Sequence, residues 1–469
     1  MKYDKAIEFA DRAIDCIKEA YPAYLIKAET FFALGKTDDA LDAINTMLDY
    51  NSLNTQAYHA VGNTYYKLHK YLDAVEYYNR ALDIEPSYEK SIIAKISSLY
   101  YSKRYTACLN FALEYENKVD NYLIPWYIGD VYSRLMYPEK ALEYYKKALN
   151  MKEGDTELLV SIGWQYYYLE DFENAEAFAE RALNTTSSHY GAELLKAYID
   201  ERKSNIAEQV SKFIENNYMY YKSNDKYHEI KNSLMGKDSV SAQDIEELFN
   251  AVLKEDDMFS FILKGEDYEY YMALQQENSV EYKPVNETTD YIRISFFSRN
   301  TANDVLDIID NIENTKDRYL VLDLRGNTGG DTASGADILD FLLPDVVVCN
   351  LIYKDGYSDA YYSDEQQIEF KHIFVLIDEY SASCSELLTL GLKTYLDNVI
   401  VIGRKSWGKG VGQLLFEDKT NGFVIFLVNH YWNVRQENIN EKGITPDITV
   451  KGDSLERFMA EVNKIIESH

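Results

Sequence analysis

AYHAVGNTYYKLHKYLDAVEYYNRALDIEPS, residues 57–87, decides the fold of the first half of this chain. Its apolar and aromatic residues return at helical spacing, the turn LHKYL divides it into two short helices, and Pro86 closes it. Working outward, the same unit recurs. A small residue stands at Ala6, Ala40, Ala74, Cys108, Ala141 and Ala175, at spacings of 34, 34, 34, 33 and 34 residues. A glycine lies twelve residues before three of these positions, at Gly62, Gly129 and Gly163. A fixed period of this length marks a solenoid of helix pairs, in which small residues let helices approach and large ones fill the gaps between units. That packing accounts for many of the 43 tyrosines. Five units are visible, with room for a sixth in 190–216. The chain opens on the second helix of a unit, so Met1 either begins a half-repeat cap or follows an upstream segment.

The length of 469 residues gives a prior of two to four domains, and 46% hydrophobic with 27% charged residues suits chains that build packed cores. No run approaches the roughly 18 apolar residues of a membrane helix, and the N-terminus has no apolar core of a secretory signal. The expectation is a cytoplasmic protein of a Gram-positive-like bacterium, or an extracytoplasmic one if an upstream signal segment precedes this sequence. The net charge of −30 opposes nucleic-acid binding and membrane-surface binding. Cys16, Cys108, Cys349 and Cys384 are widely spaced, so neither a disulfide framework nor a metal site is indicated.

The period is lost after residue 216. Residues 217–285 read as a linker and helical lead-in: 223–240 is polar, and SAQDIEELFNAVLKE (241–255) is an amphipathic helix with Ser241 as its N-cap. Within 286–469, strands alternate with helices. YIRISFF (291–297), YLVLDLR (319–325), HIFVLID (372–378), VIVIG (399–403) and GFVIFLVNHYW (422–432) read as strands. TANDVLDIIDNIEN (301–314), ASGADILDFLLP (333–344) and SCSELLTLGLKTYL (383–396) read as helices between them. The alternation predicts an α/β core with part of its sheet parallel, and sites in such sheets gather at the carboxyl ends of strands.

Three loops lie at those ends. In EYSASCSE (379–386), Ser383 stands where a strand turns into a helix, a place that favours developing negative charge, although Ser383-x-x-Glu386 also spells a capping box. RGNTGG (325–330) holds glycines that can aim backbone N–H groups into a cavity, or simply make a tight turn. SWGKGVGQ (406–413) sets Lys409 among glycines; the phosphate-loop pattern is absent, and a lysine desolvated beside a serine becomes a general base.

These loops occur in order and are followed by GITPDI (443–448). Together they resemble the C-terminal processing (tail-specific) serine peptidases of the S41 family. Leu324–Gly330 matches the family's LRxNxGG, Ser381–Glu386 its SASASE, Trp407–Gln413 its FGKGxxQ, and GITPDI its GIxPDI. The repeats resemble tetratricopeptide repeats. The resemblance implies an all-α tetratricopeptide-repeat solenoid (1–216) followed by an α/β peptidase core of the ClpP/crotonase-like S41 fold (286–469). It assigns Ser383 as nucleophile, Lys409 as general base and Gln413 as the residue orienting the lysine. The oxyanion hole would be the N–H of Cys384 plus one from Gly329 or Gly330.

Three departures stand out. Ser383 and Lys409 are 26 residues apart, one more than is usual in the family, with the extra residue near Asp397. Cys384 replaces an alanine. Only 19 residues separate Tyr271 from Tyr291, too few for the PDZ domain that usually receives the substrate's C-terminus. A thiol nucleophile at Cys384 lacks a histidine in these motifs, and His372 and His430 fall on strands outside the loops. The expected activity is peptide-bond hydrolysis by a Ser–Lys dyad without metal or organic cofactor, with a protein substrate or an adaptor in the repeat groove. The competing expectations are an inactive peptidase-like scaffold and a peptide-binding interaction protein.

Overall fold

A computed structural model describes residues 2–237, 239–275, 277–364 and 366–468. The chain divides after Ile199 into two compact units.

The first unit is built of antiparallel helix pairs. After helix Lys2–Cys16 they run Tyr21–Ala33 with Thr37–Tyr50, Thr55–Lys67 with Tyr71–Ile84, and Glu89–Tyr101 with Tyr105–Tyr115. Leu123–Arg134 with Pro138–Met151 and Thr156–Tyr168 with Phe172–Thr185 continue the series. The periodic small residues are where helices meet: Ala40, Ala74, Cys108, Ala141 and Ala175 are completely buried. At Gly129 the reason for glycine is direct, because a Cβ would lie 2.7 Å from the Tyr145 ring. The turn inside each pair repeats as well. Gly35, His69, Lys103, Met136 and Glu170 all have φ between 58° and 69°, the left-handed residue that ends the first helix of a pair.

The second unit contains two sheets. The first has strand order β11-β8-β7-β4-β3-β2, with β2 (Val280–Asn286), β3 (Thr289–Ile294), β4 (Tyr319–Asp323), β7 (His372–Ile377), β8 (Val399–Gly403) and β11 (Ile448–Thr449). It is parallel throughout except at the β2 edge. Both faces are covered, which is why β4 reads as an unbroken apolar run. Leu306, Leu339 and Leu388, from helices Thr301–Asp310, Thr332–Leu342 and Cys384–Tyr395, pack with Leu320, Leu322 and Val375 in one layer. Phe458 and Val462 of helix Leu455–Ser468 pack with Val321, Phe374 and Ile402 in the other. The second sheet centres on the long β10 (Phe423–Asn433). This strand pairs with β1 (Phe261–Lys264), β9 (Val411–Asp418) and β5 (Val347–Tyr353), and β5 pairs with β6 (Ser358–Tyr362).

The structure corrects two boundaries. The compact units part at 199/200 rather than at 216, because helix Ile206–Asn217 turns its apolar stripe, Val210 and Ile214, into a core with Ile425 and Leu427 of β10. The region 217–285, expected as a linker and lead-in, is folded against that same core through helices Asp225–Met235 and Ala242–Asn250. Asn224 caps the first of these through its side chain, which accepts from Tyr227 N–H at 2.9 Å.

Candidate active site

Ser383 follows β7 and sits at the first central position of a reverse turn, with Ser385 N–H donating to Ala382 C=O at 3.1 Å. Its backbone has φ 54° and ψ −115°, the conformation that a type II′ turn ordinarily gives to glycine. A serine there stores about 1–3 kcal/mol of strain, and such strain persists only where the surroundings over-determine it. Here they do. Ser383 N–H donates to Glu386 Oε2 at 2.9 Å, Ala382 N–H to Asn327 C=O at 3.0 Å, and Ser385 Oγ to the same carbonyl at 2.9 Å. Ser381 Oγ donates to Leu324 C=O at 2.8 Å.

The glycine loop lies against this turn. A Cβ at Gly329 would come within 2.7 Å of Ser383 Cβ and 3.2 Å of Cys384 N, so only glycine permits the approach. The two glycines offered for the oxyanion hole differ. Gly329 N–H is already used, donating to Asn327 Oδ1 at 2.9 Å. Gly330 is bridged to Phe297 through its neighbours, with Phe297 N–H on Gly329 C=O at 2.9 Å and Asp331 N–H on Phe297 C=O at 2.8 Å. That pairing turns Gly330's own N–H to the other side. Among the described residues neither Gly330 N–H nor Cys384 N–H has an acceptor, and these two donors flank the serine turn.

Lys409 is half-buried, and burial lowers its ammonium to a pKa of about 8, against the opposing pull of Glu386 and Asp257. Its Nζ donates to Gln413 Oε1 at 2.6 Å and lies 5.2 Å from the centre of the Phe259 ring. Gln413 is itself oriented, since its Nε2 donates to Phe259 C=O. No hydrogen bond joins Ser383 Oγ to Lys409 Nζ among the described residues. The lysine and glutamine therefore meet directly, whereas the lysine and serine are joined through the backbone by Glu386.

Glu386 is 1% exposed and was legible in the sequence only as a helix cap. Its Oε1 accepts from Ser406 Oγ and from Gly408 N–H at 2.8 Å, and its Oε2 accepts from Lys409 N–H at 2.8 Å as well as from Ser383 N–H. Burial pushes its pKa up against these donors. Ser406 in turn accepts from Ile444 N–H at 2.7 Å, which fastens GITPDI beneath the lysine loop. Asp257 and Phe259 were not singled out by sequence reasoning at all; their contributions run through backbone groups that residue identity does not display.

The remaining candidates separate from the site. Cys384 Sγ is buried, contacts Asp331 C=O at 3.3 Å, and has its pKa raised well above that of an ordinary thiol by desolvation, so it presents no thiolate. His372 begins β7 and stacks on Tyr319, about 16 Å of strand away from the end that carries the serine turn. His430 is buried against Gly412 and held neutral, its pKa lowered by burial to about 4. No cluster of metal-binding side chains occurs among the described residues.

Comparison with known proteins agrees with this architecture. Residues 288–450 match peptidase family S41, and residues 55–88 and 128–155 match the tetratricopeptide repeat. The chain is 29% identical over 167 residues to a carboxyl-terminal-processing protease of Synechocystis sp., covering 35% of this chain and 38% of the relative. It is 31% identical over 172 residues to a carboxyl-terminal-processing protease of Picosynechococcus sp., covering 36% and 41%. A carboxy-terminal processing protease of Bacillus subtilis is 33% identical over 173 residues, covering 36% of each chain. The chain thus spans about two-fifths of the length of the curated relatives it matches. It carries an S41 peptidase domain after tetratricopeptide repeats, a helical repeat region followed by an α/β core.

Proposed function

We propose that this chain hydrolyses peptide bonds of protein substrates, with Ser383 as nucleophile, Lys409 as general base and Gln413 orienting the lysine. The observation that carries the reading is the strained turn at Ser383, held between two unaccepted N–H donors at Cys384 and Gly330. Neutral Lys409 takes the hydroxyl proton as Ser383 Oγ bonds to the substrate carbonyl carbon. The two N–H groups hold the oxyanion, and Lys409 returns the proton to the departing amine as the C–N bond breaks. Water, deprotonated by the same lysine, then releases the acyl group. Since Nζ rests on Gln413, a rotation of the lysine side chain toward Ser383 precedes the first step. The repeats would hold the substrate protein or an adaptor, as a helix-lined solenoid surface suits an extended peptide.

The resting Lys409–Gln413 bond also favours a second reading, a peptide-binding scaffold that does not cut. Incubation with an unfolded, partly hydrophobic polypeptide decides between them. Cleavage by the natural chain that Ser383→Ala abolishes supports the hydrolase; equal cleavage by both, or none by either, supports the scaffold.

A further inference from the structure

We infer that Asp257 is a positioning residue for the lysine, acting through the Phe259 carbonyl and the Gln413 side chain, and that residues 254–260 form the wall that keeps this lysine desolvated. The inference rests on the peptidase reading of the site. It starts from a chain of contacts. Asp257 Oδ1 accepts from Phe259 N–H at 3.0 Å and from Ser260 N–H at 3.1 Å, closing a tight turn. Its Oδ2 accepts from the buried Tyr218 hydroxyl at 2.7 Å, and that hydroxyl accepts from Lys254 N–H at 3.1 Å. Ser260 Oγ accepts from Val428 N–H of β10 at 2.9 Å. One carboxylate thus pins the segment to the helical layer at Tyr218, and Ser260 pins it to the sheet.

The pinned segment has two consequences at the site. Phe259 C=O accepts from Gln413 Nε2, which leaves Gln413 Oε1 as the atom facing Lys409 Nζ. Were the amide reversed, it would present donors to the ammonium and repel it. The Phe259 ring covers the ammonium at 5.2 Å. Two charged groups act on Lys409, Glu386 from helix Cys384–Tyr395 and Asp257 from this segment, while Gln413 of β9 and Ser383 are neutral. Asp257 therefore acts in two opposed ways. Its charge favours the protonated lysine, and the turn it builds favours the neutral one by shutting out water.

Substitutions separate the two actions. Asp257→Asn keeps an acceptor for both N–H groups and removes the charge; Asp257→Ala removes charge and turn together. Lys409 is titrated by its reactivity toward an amine-directed reagent, read at that residue by mass spectrometry, a measurement that needs no turnover. The expected midpoint falls by about 0.5–1 pH unit in Asp257→Asn. In Asp257→Ala it lies at least about one unit above the Asn value, because solvent enters the opened pocket. For cleavage, Asp257→Asn is expected to keep its plateau kcat within about threefold, and Asp257→Ala to lose about 10- to 100-fold in kcat with KM nearly unchanged. Identical midpoints in the two variants overturn the inference, since only charge would then matter. Should Asp257→Ala fail to fold, Tyr218→Phe, which removes one donor to Oδ2, decides: a raised midpoint supports the inference and an unmoved one overturns it. If the natural chain cleaves nothing, the hydrolase reading fails while the titration still judges the positioning.

Discussion

Glu386→Gln tests whether the serine turn and the lysine loop are held as one piece. The carboxylate accepts four donors on two oxygens: Ser383 N–H and Lys409 N–H on Oε2, Ser406 Oγ–H and Gly408 N–H on Oε1. An amide can serve only one of those pairs. In the cheaper orientation its NH2 faces Ser406, whose hydroxyl can turn to accept, and Gly408 N–H, which cannot. One buried donor left unpaired costs about 1–3 kcal/mol, and the retained bonds lose their charge assistance. Against this stands the burial that raises the carboxyl pKa, part of which neutralisation recovers. The net expectation is a loss of about 2 kcal/mol, or roughly 4–8 °C in the melting of the unit that holds the site, followed by calorimetry. The sign of the pH effect is fixed as well. Glu386 favours the charged lysine, so its neutralisation moves the midpoint of kcat/KM below about 8. The plateau falls by about tenfold or more, because Lys409 and Ser383 are no longer anchored to a common group. An unchanged melting temperature with an unchanged plateau, or a midpoint that rises, would refute the argument.

For the natural chain, kcat/KM should climb about tenfold between pH 7 and the plateau above pH 8.5, because a base with a pKa of about 8 is only about one-tenth neutral at pH 7; a profile flat from pH 6 to 9 rejects Lys409 as the base. Cys384→Ala should cleave within about twofold of the natural rate and lose about 1–2 kcal/mol of stability, since only its backbone N–H faces the site; a loss beyond tenfold in a folded variant would give the thiol a role it lacks here. Gly129→Ala should loosen the repeat unit by about 1–3 kcal/mol. The Tyr145 ring it meets is tethered by its hydroxyl to Asp130 at 2.7 Å and cannot swing aside, so proteolysis within residues 1–199 should accelerate, and unaltered resistance would count against that packing.

The fold was legible where side-chain pattern alone decides it. VIVIG was read as a strand over 399–403 and is one, because an apolar run bounded by turn formers has no competing period. The helix Asp225–Met235 was missed although Tyr227, Ile230 and Leu234 recur at helical spacing; its polar composition masked three anchoring residues. Strand β9 was missed because its opening glycines and its exposed Leu414 and Leu415 break the alternation of a half-buried strand. At the site, the sequence pointed to the side chains and left open which glycine donates. Backbone direction decides that: the bridge to Phe297 turns Gly330 N–H outward, while Asn327 consumes that of Gly329. Nor could any residue letter announce that Ser383 has φ 54°, since serine is not a residue chosen for that region.

The motif residues divide by what they touch. Ser383, Lys409 and the two open N–H groups face the place where a substrate carbonyl would stand. Asn327, Ser381, Glu386, Ser406 and the backbone of Ile444 touch only one another and the loops that carry the first group. The second group is the larger because the first is held in an unfavourable conformation. Strain of about 1–3 kcal/mol at Ser383 would relax if the turn were supported by a single bond, each typically contributing about 0.5–1.5 kcal/mol. Several bonds converge on three consecutive residues, 381 to 383, and two of the donors involved reach the glycine loop rather than their own turn. GITPDI, remote from any reacting atom, belongs to this supporting set: Ile444 N–H fixes Ser406, Ser406 donates to Glu386, and Glu386 holds Ser383 and Lys409 by their backbones. Loosening that outermost contact should thus reach the serine through three hydrogen bonds before any side chain of the dyad is altered.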